Sequence, residues 1–147
     1  MPMMLQMTFH GLNFRAFIHA TEDDGKVVRA VAFASGSDDI KRTKSSGYHG
    51  NPITILQTTI KNKTSIDLFF KRLGAQNIEV LLGTLDKRID DDCTFFLRLD
   101  KQEGLAERMV LSEKDDVVAL RGKIKAYPCN RQTAFKAVND YLSHLFE

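Results

Sequence analysis

The chain has 147 residues and a formal net charge of +2, so its length fits one domain, residues 1–147, with a sizeable core. Hydrophobic residues make up 43% and charged residues 27%, which is typical of a soluble globular chain. No apolar run is long enough to cross a bilayer, and no cation precedes Arg15 to begin a signal peptide, so we expect no membrane association. Cys93 and Cys129 form no CxxC pair, so we expect reduced thiols, a cytoplasmic location and no zinc site.

The charges are unevenly distributed along the chain. Residues 40–75 contain seven cations and one acid, whereas residues 76–120 contain six cations and eleven acids. A nearly neutral chain can therefore present one basic face, as nucleic-acid-binding proteins do. Charge blocks of this size are also common on solvated surfaces, so the distribution alone does not decide between the two interpretations.

The residue pattern in the first part of the chain predicts three strands and one helix. Residues 8–20 alternate apolar and other side chains with the period of a strand that has one core face. Thr21, followed by three acids, is typical of a helix N-cap, and this helix is predicted to run to about Ala34. Two further strands are predicted at residues 40–44 and 53–61.

Two amphipathic helices are predicted in the middle of the chain. Thr64 is the predicted N-cap of the first, and Gly74 is placed to end it. Asn77 is the predicted N-cap of the second, which keeps helical apolar spacing as far as Ile89. Three consecutive aspartates then close this region.

The last part predicts strands at residues 94–100, 107–111 and 117–127, the last two paired as a hairpin. Asn130 is the predicted N-cap of a final helix. The apolar stripe of that helix comprises Phe135, Val138, Leu142 and Leu145. The element order β-α-β-β-α-α-β-β-β-α predicts an α+β fold, with a largely antiparallel sheet and helices packed on one of its faces.

The predicted sheet carries cations and rings opposite its apolar face. The last strand places Arg121, Lys123, Lys125 and Tyr127 on this side, and two other strands add Arg15, Phe17 and His19, and Phe96 and Arg98. Cations neutralise phosphates and rings stack on unpaired bases, at about 1–3 kcal/mol per base, so this surface predicts binding of single-stranded RNA. The alternative is that a helix or a second subunit covers the rings and leaves ordinary exposed lysines.

A second candidate RNA-binding region lies between residues 40 and 60. It begins with three cations and continues into a loop with two glycines; its candidate residues are Lys41, Arg42, Lys44, Tyr48, His49 and Asn51. Glycines permit turns in which backbone N–H groups and lysines converge on a phosphate. The other interpretation is a hairpin loop beside a solvated edge strand, whose lysines discourage pairing with another chain.

Five stretches resemble an archaeal family of predicted RNA-binding proteins that are described as exosome-associated. They are residues 14–23 (FRAFIHATED), 49–53 (HGNPI), 88–92 (RIDDD), 98–102 (RLDKQ) and 123–128 (KIKAYP). The resemblance implies a non-catalytic protein that takes part in RNA processing, with RNA and exosome subunits as partners. It also implies a fold similar to that of the ribosomal protein that binds 5S RNA. Tyr48 stands where the family pattern has a second histidine, and residues 103–114 match poorly.

Two other classes of function stay open. Carboxylates at residues 22–24 and 90–92, together with His49, are the groups a magnesium-dependent nuclease would use. The first cluster lies where acids at a helix N-terminus belong, and the second lies in a predicted turn, so we expect no enzymatic activity, no metal and no cofactor. The aromatic face is equally suited to a homodimer or an adaptor contact, because aromatic residues and arginine dominate protein interfaces.

Overall fold

The computed structural model describes residues 7–45 and 52–147. Its strands are β1 (Phe9–His19), β2 (Lys41–Ser45), β3 (Ile53–Ile60), β4 (Thr94–Asp100) and β5 (Val117–Ile124). Its α-helices are α1 (Asp24–Ser35), α2 (Lys63–Leu73), α3 (Ala75–Gly83), α4 (Lys101–Leu105) and α5 (Arg131–Ser143). A single turn of 3-10 helix, Leu85–Lys87, follows α3.

The five strands form one sheet in the order β2-β3-β1-β5-β4. The two strands β2 and β3 pair antiparallel, with Lys41 opposite Gln57 and Ser45 opposite Ile53. Together with the five α-helices, this antiparallel sheet confirms the predicted α+β class. The strands predicted at residues 40–44, 53–61 and 94–100 correspond to β2, β3 and β4 within one residue at each end.

Side-chain burial alternates along β1, β4 and β5. In β1 the residues Leu12, Phe14, Ala16 and Ile18 are buried. Arg15, Phe17 and His19, which lie between or just after them, are exposed. A period of two means that successive side chains point to opposite faces of the sheet. The helices therefore cover one face of the sheet, as predicted, and leave the other face open.

The described residues divide into two compact units, and the first comprises residues 7–12, 61–96 and 121–147. Its core is aromatic: the ring of Phe70 stacks on Phe9 at 5.4 Å between centroids and meets Tyr141 edge-on at 5.5 Å. The Tyr141 hydroxyl donates to Asp67 at 2.6 Å, and burial together with this hydrogen bond raises the pKa of the phenol. Lys63 donates to the other oxygen of Asp67 at 2.6 Å. Helices α2 and α5 are thus joined to the sheet by rings and to each other by a charged hydrogen bond.

The second unit comprises residues 13–45, 52–60 and 97–120. Here α1 packs against β3 and α4. A Cβ added at Gly104 would lie 3.3 Å from the Cβ of Ala30, so the missing side chain lets these two helices approach closely. Helix α1 ends at Gly36, whose φ of 72° is a left-handed conformation that glycine adopts without steric cost.

The helix starts differ from three of the predicted N-caps. Helix α1 is capped by Asp23 rather than Thr21, and α2 by Asn62 rather than Thr64. Both caps accept a backbone N–H three residues ahead, and Asp and Asn are at least as favourable as Thr in this role. The prediction that Asn77 is an N-cap was also wrong. It lies inside α3 and donates to the carbonyl of Leu73 at 2.8 Å.

The predicted hairpin at residues 107–127 was wrong. The chain after β4 forms α4, capped by Asp100, whose carboxylate accepts the N–H of Glu103 at 2.9 Å. Residues 107–116 contribute only an isolated bridge between Leu111 and Leu99. Strand β5 also ends earlier than predicted, at Ile124. Helix α4 thus ends before residues 107–111, and the strand predicted there is reduced to the single bridge from Leu111.

The final helix confirms one prediction and corrects another. Asn130 is the N-cap of α5 and accepts from the N–H of Thr133 at 2.8 Å. Its buried stripe is Ala134, Val138 and Leu142, whereas Phe135 is 38% exposed. The core side at this turn therefore carries the smaller residue, and the predicted Phe135 faces outward.

Candidate nucleic-acid interface

Strand β1 presents a paired arginine and ring on the open side of the sheet. Arg15 and Phe17 are two residues apart, so their side chains point the same way. The guanidinium carbon of Arg15 lies 5.3 Å from the centroid of the Phe17 ring. Such a cation–π contact contributes about 0.5–1 kcal/mol at an exposed site and holds the two groups in a defined arrangement.

A second pair of the same kind lies in the first unit. The guanidinium carbon of Arg121, on β5, lies 5.5 Å from the centroid of Phe96, on β4. Arg121 is exposed and Phe96 is partly exposed. The sequence placed both residues on the open face, but only the fold shows that the guanidinium lies over the ring.

The three candidates that follow Arg121 are arranged less regularly than predicted. Lys123 is exposed on β5, and its ammonium group donates to the carbonyl oxygen of Asp92. Lys125 and Tyr127 lie beyond the end of β5, so the prediction that they are strand residues was wrong. Lys125 remains attached to the sheet through its N–H, which donates to Thr8 at 2.8 Å. Tyr127 is 80% exposed and is the most accessible large ring among the described residues.

Arg98 lies on the open side of β4 but is engaged by its own chain. Its guanidinium donates to the carbonyls of Lys114 at 3.1 Å and Glu113 at 3.4 Å, and lies 3.7 Å from the carboxylate of Asp115. These contacts attach the segment before β5 to β4. Arg98 therefore has a structural role here, and RNA would have to share its donors.

Strand β2 carries the second group of candidates. Lys41, Arg42 and Lys44 are exposed on this edge strand, and Arg42 lies 4.0 Å from the carboxylate of Asp24. The loop candidates Tyr48, His49 and Asn51 lie outside the described residues. The cations of β2 fit either interpretation offered by the sequence, because lysines protect an edge strand and also bind phosphate.

A buried lysine organises the end of β1. Lys101 is 4% exposed, and its ammonium donates to the Phe17 carbonyl at 2.9 Å, Glu22 at 3.0 Å and Asp116 at 2.8 Å. An ammonium has three donors, so each one has a partner. His19 joins this network: its backbone N–H donates to Glu22 at 2.9 Å, and its ring Nε2 lies 3.3 Å from the carboxylate of Asp116. The backbone beneath Phe17 and His19 is thereby held in place.

Two carboxylates and a histidine in this network come close enough to bind a cation. Among the described residues, one atom each of His19, Glu22 and Asp116 lie within 4.8 Å of one another. The Lys101 ammonium already donates to both carboxylates, so a metal ion would have to displace a buried positive charge. Partial burial opposes ionisation of Asp116, but Lys101 and His19 outweigh it, and the pKa of Asp116 lies below its ordinary value.

Members of the carboxylate clusters considered for a nuclease have identifiable structural partners. Asp23 caps α1, and Glu22 accepts from Lys101. Asp90 accepts the N–H groups of Asp92 at 2.9 Å and Thr94 at 3.0 Å, as an aspartate that stabilises a turn does. These contacts favour a structural role for the clusters.

The sequence did not identify Lys101 or Asp116 as important. Lys101 belongs to the stretch RLDKQ that resembles the archaeal family, but nothing in its local pattern indicates burial. A lysine is almost never fully buried unless it is paired. Its partners are 15 to 84 residues away in the chain, so only the fold could identify them.

An α+β fold with an open sheet surface of arginines, lysines and rings is that of a candidate nucleic-acid-binding protein. A family model described as RNA binding matches residues 11–124, and the chain belongs to this family. An RNA-binding protein of Pyrococcus abyssi is 31% identical over 143 residues, covering 90% of this chain and 93% of that protein.

Two solved structures of archaeal proteins share the fold. A DUF54 protein from Methanothermobacter thermautotrophicus has a TM-score of 0.79 and 29% identity, covering 92% of this chain and 99% of that one. A DUF54-family protein from Archaeglobus fulgidus has the same TM-score and 28% identity, covering 90% of this chain and 98% of that one. Within the described residues, no helix is long and apolar enough to span a membrane.

Proposed function

We propose that this protein is a non-catalytic RNA-binding protein that holds single-stranded RNA on the open sides of β1, β4 and β5. The observation that carries the proposal is the arginine laid over a phenylalanine ring, which occurs once in each unit: Arg15 with Phe17, and Arg121 with Phe96. Membership of a family described as RNA binding supports the same conclusion.

The paired arrangement suits unpaired bases for a physical reason. Single-stranded RNA exposes the flat faces of its bases, and these stack on rings or on guanidinium planes. An arginine that already lies over a ring has lost part of its conformational freedom before RNA arrives, so less entropy is lost on binding. The same guanidinium keeps donors at its edge that can reach a phosphate.

Phosphate contacts are assigned to the surrounding cations. Lys123 and Lys125 lie beside the exposed Tyr127 ring in the chain, and Lys41 and Lys44 are exposed on β2. These contacts give affinity without sequence preference, because phosphates carry no sequence information. The loop residues Tyr48, His49 and Asn51 remain candidates for the same role.

The salt dependence of binding separates phosphate contacts from stacking contacts. We expect Lys123→Ala and Lys125→Ala to weaken binding of all single-stranded RNAs about equally and to reduce the salt slope of log K by about 0.7 per lost contact. Tyr127→Ala should lower affinity by about 1–3 kcal/mol if its ring stacks on a base, with the slope nearly unchanged. Fluorescence anisotropy at several salt concentrations measures both quantities. Folded variants that bind like the parent would exclude this part of the surface.

Arg121 offers a matched pair of variants for the stacked arrangement. Arg121→Lys keeps the charge but loses the planar guanidinium, whereas Arg121→Ala loses both. We expect Arg121→Lys to weaken binding with little change in salt slope, and Arg121→Ala to reduce the slope as well. Equal binding by Arg121→Lys and the parent would show that charge alone matters here and would contradict the stacking role.

The resemblance to exosome-associated proteins adds a partner to the proposal. Phe17 and Tyr127 expose apolar rings that are also suited to a protein contact, either with exosome subunits in RNA processing or with a second copy of the chain. Such a contact should change little with salt, unlike RNA binding. Sedimentation of the parent and of Tyr127→Ala, with and without RNA, distinguishes a protein contact from RNA binding. Loss of assembly with unchanged RNA binding would favour the adaptor role.

A further inference from the structure

A cavity of about 330 Å³ lies in the second unit, between the start of α1 and α4. This α1–α4 cavity is lined by Glu22, Asp23, Lys26, Val27, Gln102 and Leu105, among others. Sites for small molecules in proteins usually measure about 300–1,000 Å³. The cavity therefore has room for a single small group, of the size of one nucleobase or nucleoside.

The lining of the α1–α4 cavity suits a neutral, planar ligand with hydrogen-bonding edges. Val27 and Leu105 provide apolar wall, while Glu22, Asp23 and Gln102 provide acceptors and a donor. The two carboxylates are matched by the two lysines of the lining, so the cavity has no excess charge. A free anion such as phosphate would meet both carboxylates, whereas a base offers an apolar ring and polar edges.

The polar groups of the cavity are held before any ligand arrives. Glu22 accepts from Lys101 and from the N–H of His19, and Asp23 accepts from the N–H of Lys26 at 3.2 Å. Lys101 uses all three of its donors within the protein. It therefore fixes Glu22 in position instead of binding the ligand itself. Groups held in place in this way bind with a smaller loss of entropy.

Strand β1 connects the cavity to the proposed RNA surface. The strand carries Arg15, Phe17 and His19 on its open side and ends at His19, three residues before Glu22. Three residues span at most about 11 Å of chain. The Lys101 ammonium also bonds both to the Phe17 carbonyl and to Glu22. An RNA strand that follows the open side of β1 to its end, and turns there toward the face covered by helices, therefore arrives near the rim of the cavity.

We infer that the α1–α4 cavity receives one nucleobase of an RNA strand bound along β1. This inference rests on the proposed RNA-binding function and adds a pocket for one unstacked base to it. The base inserts its ring between Val27 and Leu105 and directs its polar edge to the carboxylates and to Gln102. Unstacked bases are the usual targets of sequence-specific recognition of RNA.

The test combines a variant that fills the cavity with an RNA that lacks one base. Gln102 is exposed at the rim, so Gln102→Trp should fold and should occupy the space of the ligand; Gln76→Trp, on the exposed side of α3, is the matched control. The probes are a short single-stranded RNA and the same RNA with an abasic site placed at each position in turn. Affinity is measured by fluorescence anisotropy, with a melting curve for each variant.

We expect Gln102→Trp to bind the intact RNA about 5- to 150-fold more weakly than the parent, the range for loss of one stacked base. One abasic position should weaken binding to the parent by a similar factor and have no effect on Gln102→Trp, while Gln76→Trp behaves like the parent. RNA binding by a folded Gln102→Trp protein equal to that of the parent would overturn the pocket but leave the proposed function intact. A parent protein that binds none of the RNAs would contradict the proposed function itself.

Discussion

At the scale of single residues, we expect Asp116 to make the free energy of unfolding depend on pH. Its pKa lies below the ordinary value of 3.8 in the folded protein, because Lys101 and His19 favour the carboxylate more than partial burial opposes it. A carboxyl whose pKa is lower in the folded protein than in the unfolded chain stabilises the fold at a pH above its unfolded-state pKa. This stabilisation is lost as the pH falls through the folded-state pKa.

We therefore expect Asp116→Asn to be less stable than the parent at about neutral pH, and the difference to shrink as the pH falls below about 3.8. Urea unfolding of both proteins over this range measures the effect. Asp91→Asn, at an exposed position, serves as the control. A difference that stays constant with pH would show that Asp116 contributes through shape rather than charge.

The two cysteines should differ in reactivity. Cys129 is exposed, whereas Cys93 is buried, and burial together with a hydrogen bond to Cys129 raises the pKa of Cys93 to about 11. The thiolate is the reactive form, so a buried thiol with a raised pKa reacts slowly. We expect iodoacetamide to label Cys129 in the folded protein and Cys93 only after unfolding, as read by peptide mass spectrometry. Folded Cys129→Ser should remain unlabelled, and rapid labelling of Cys93 in it would contradict the burial.

At the scale of elements, the approach of β5 to β1 depends on Gly122. A Cβ added there would lie 2.7 Å from Leu12 Cδ2 and 3.1 Å from Phe9 Cδ1, and both of these side chains are fully buried. We expect Gly122→Ala to lower the free energy of unfolding by about 1–3 kcal/mol, as overpacking of a filled core does.

Gly83, the last residue of α3, provides the matched substitution. A Cβ there would meet no atom within 4 Å, so Gly83→Ala should be neutral or slightly stabilising, because alanine favours the helix. Chemical denaturation of the two variants beside the parent measures the contrast. A neutral Gly122→Ala would mean that Leu12 has another rotamer available in the core.

At the scale of the whole molecule, we expect neither folding nor RNA binding to require a metal ion. Members of both carboxylate clusters bond to the chain itself, and Lys101 takes the position between Glu22 and Asp116. EDTA should therefore leave the melting temperature and the affinity for RNA unchanged. A large drop in either with chelator, reversed by Mg²⁺, would make His19, Glu22 and Asp116 the first candidates for a metal site.

Sequence reasoning succeeded where the information is local or periodic. The alternation in β1 and β4 identified both the strands and their buried sides, and Asn130 identified the start of α5 through one short contact. It failed at Thr21 and at residues 107–111, where two local patterns compete. Asp23, two residues after Thr21, is a better cap, and residues 107–111 follow the short helix that Asp100 starts instead of forming a hairpin strand.

The sequence by itself determined the fold class, the open face with its cations and rings, and the family resemblance, because each depends on residue type at a fixed spacing. Only the tertiary structure decided that Lys101 is buried among Phe17, Glu22 and Asp116, that Arg121 lies over Phe96, and that a cavity opens between α1 and α4. The physical reason is that these features depend on packing between elements distant in the chain. A burial pattern specifies which face turns inward, but it does not specify which distant side chain that face will meet.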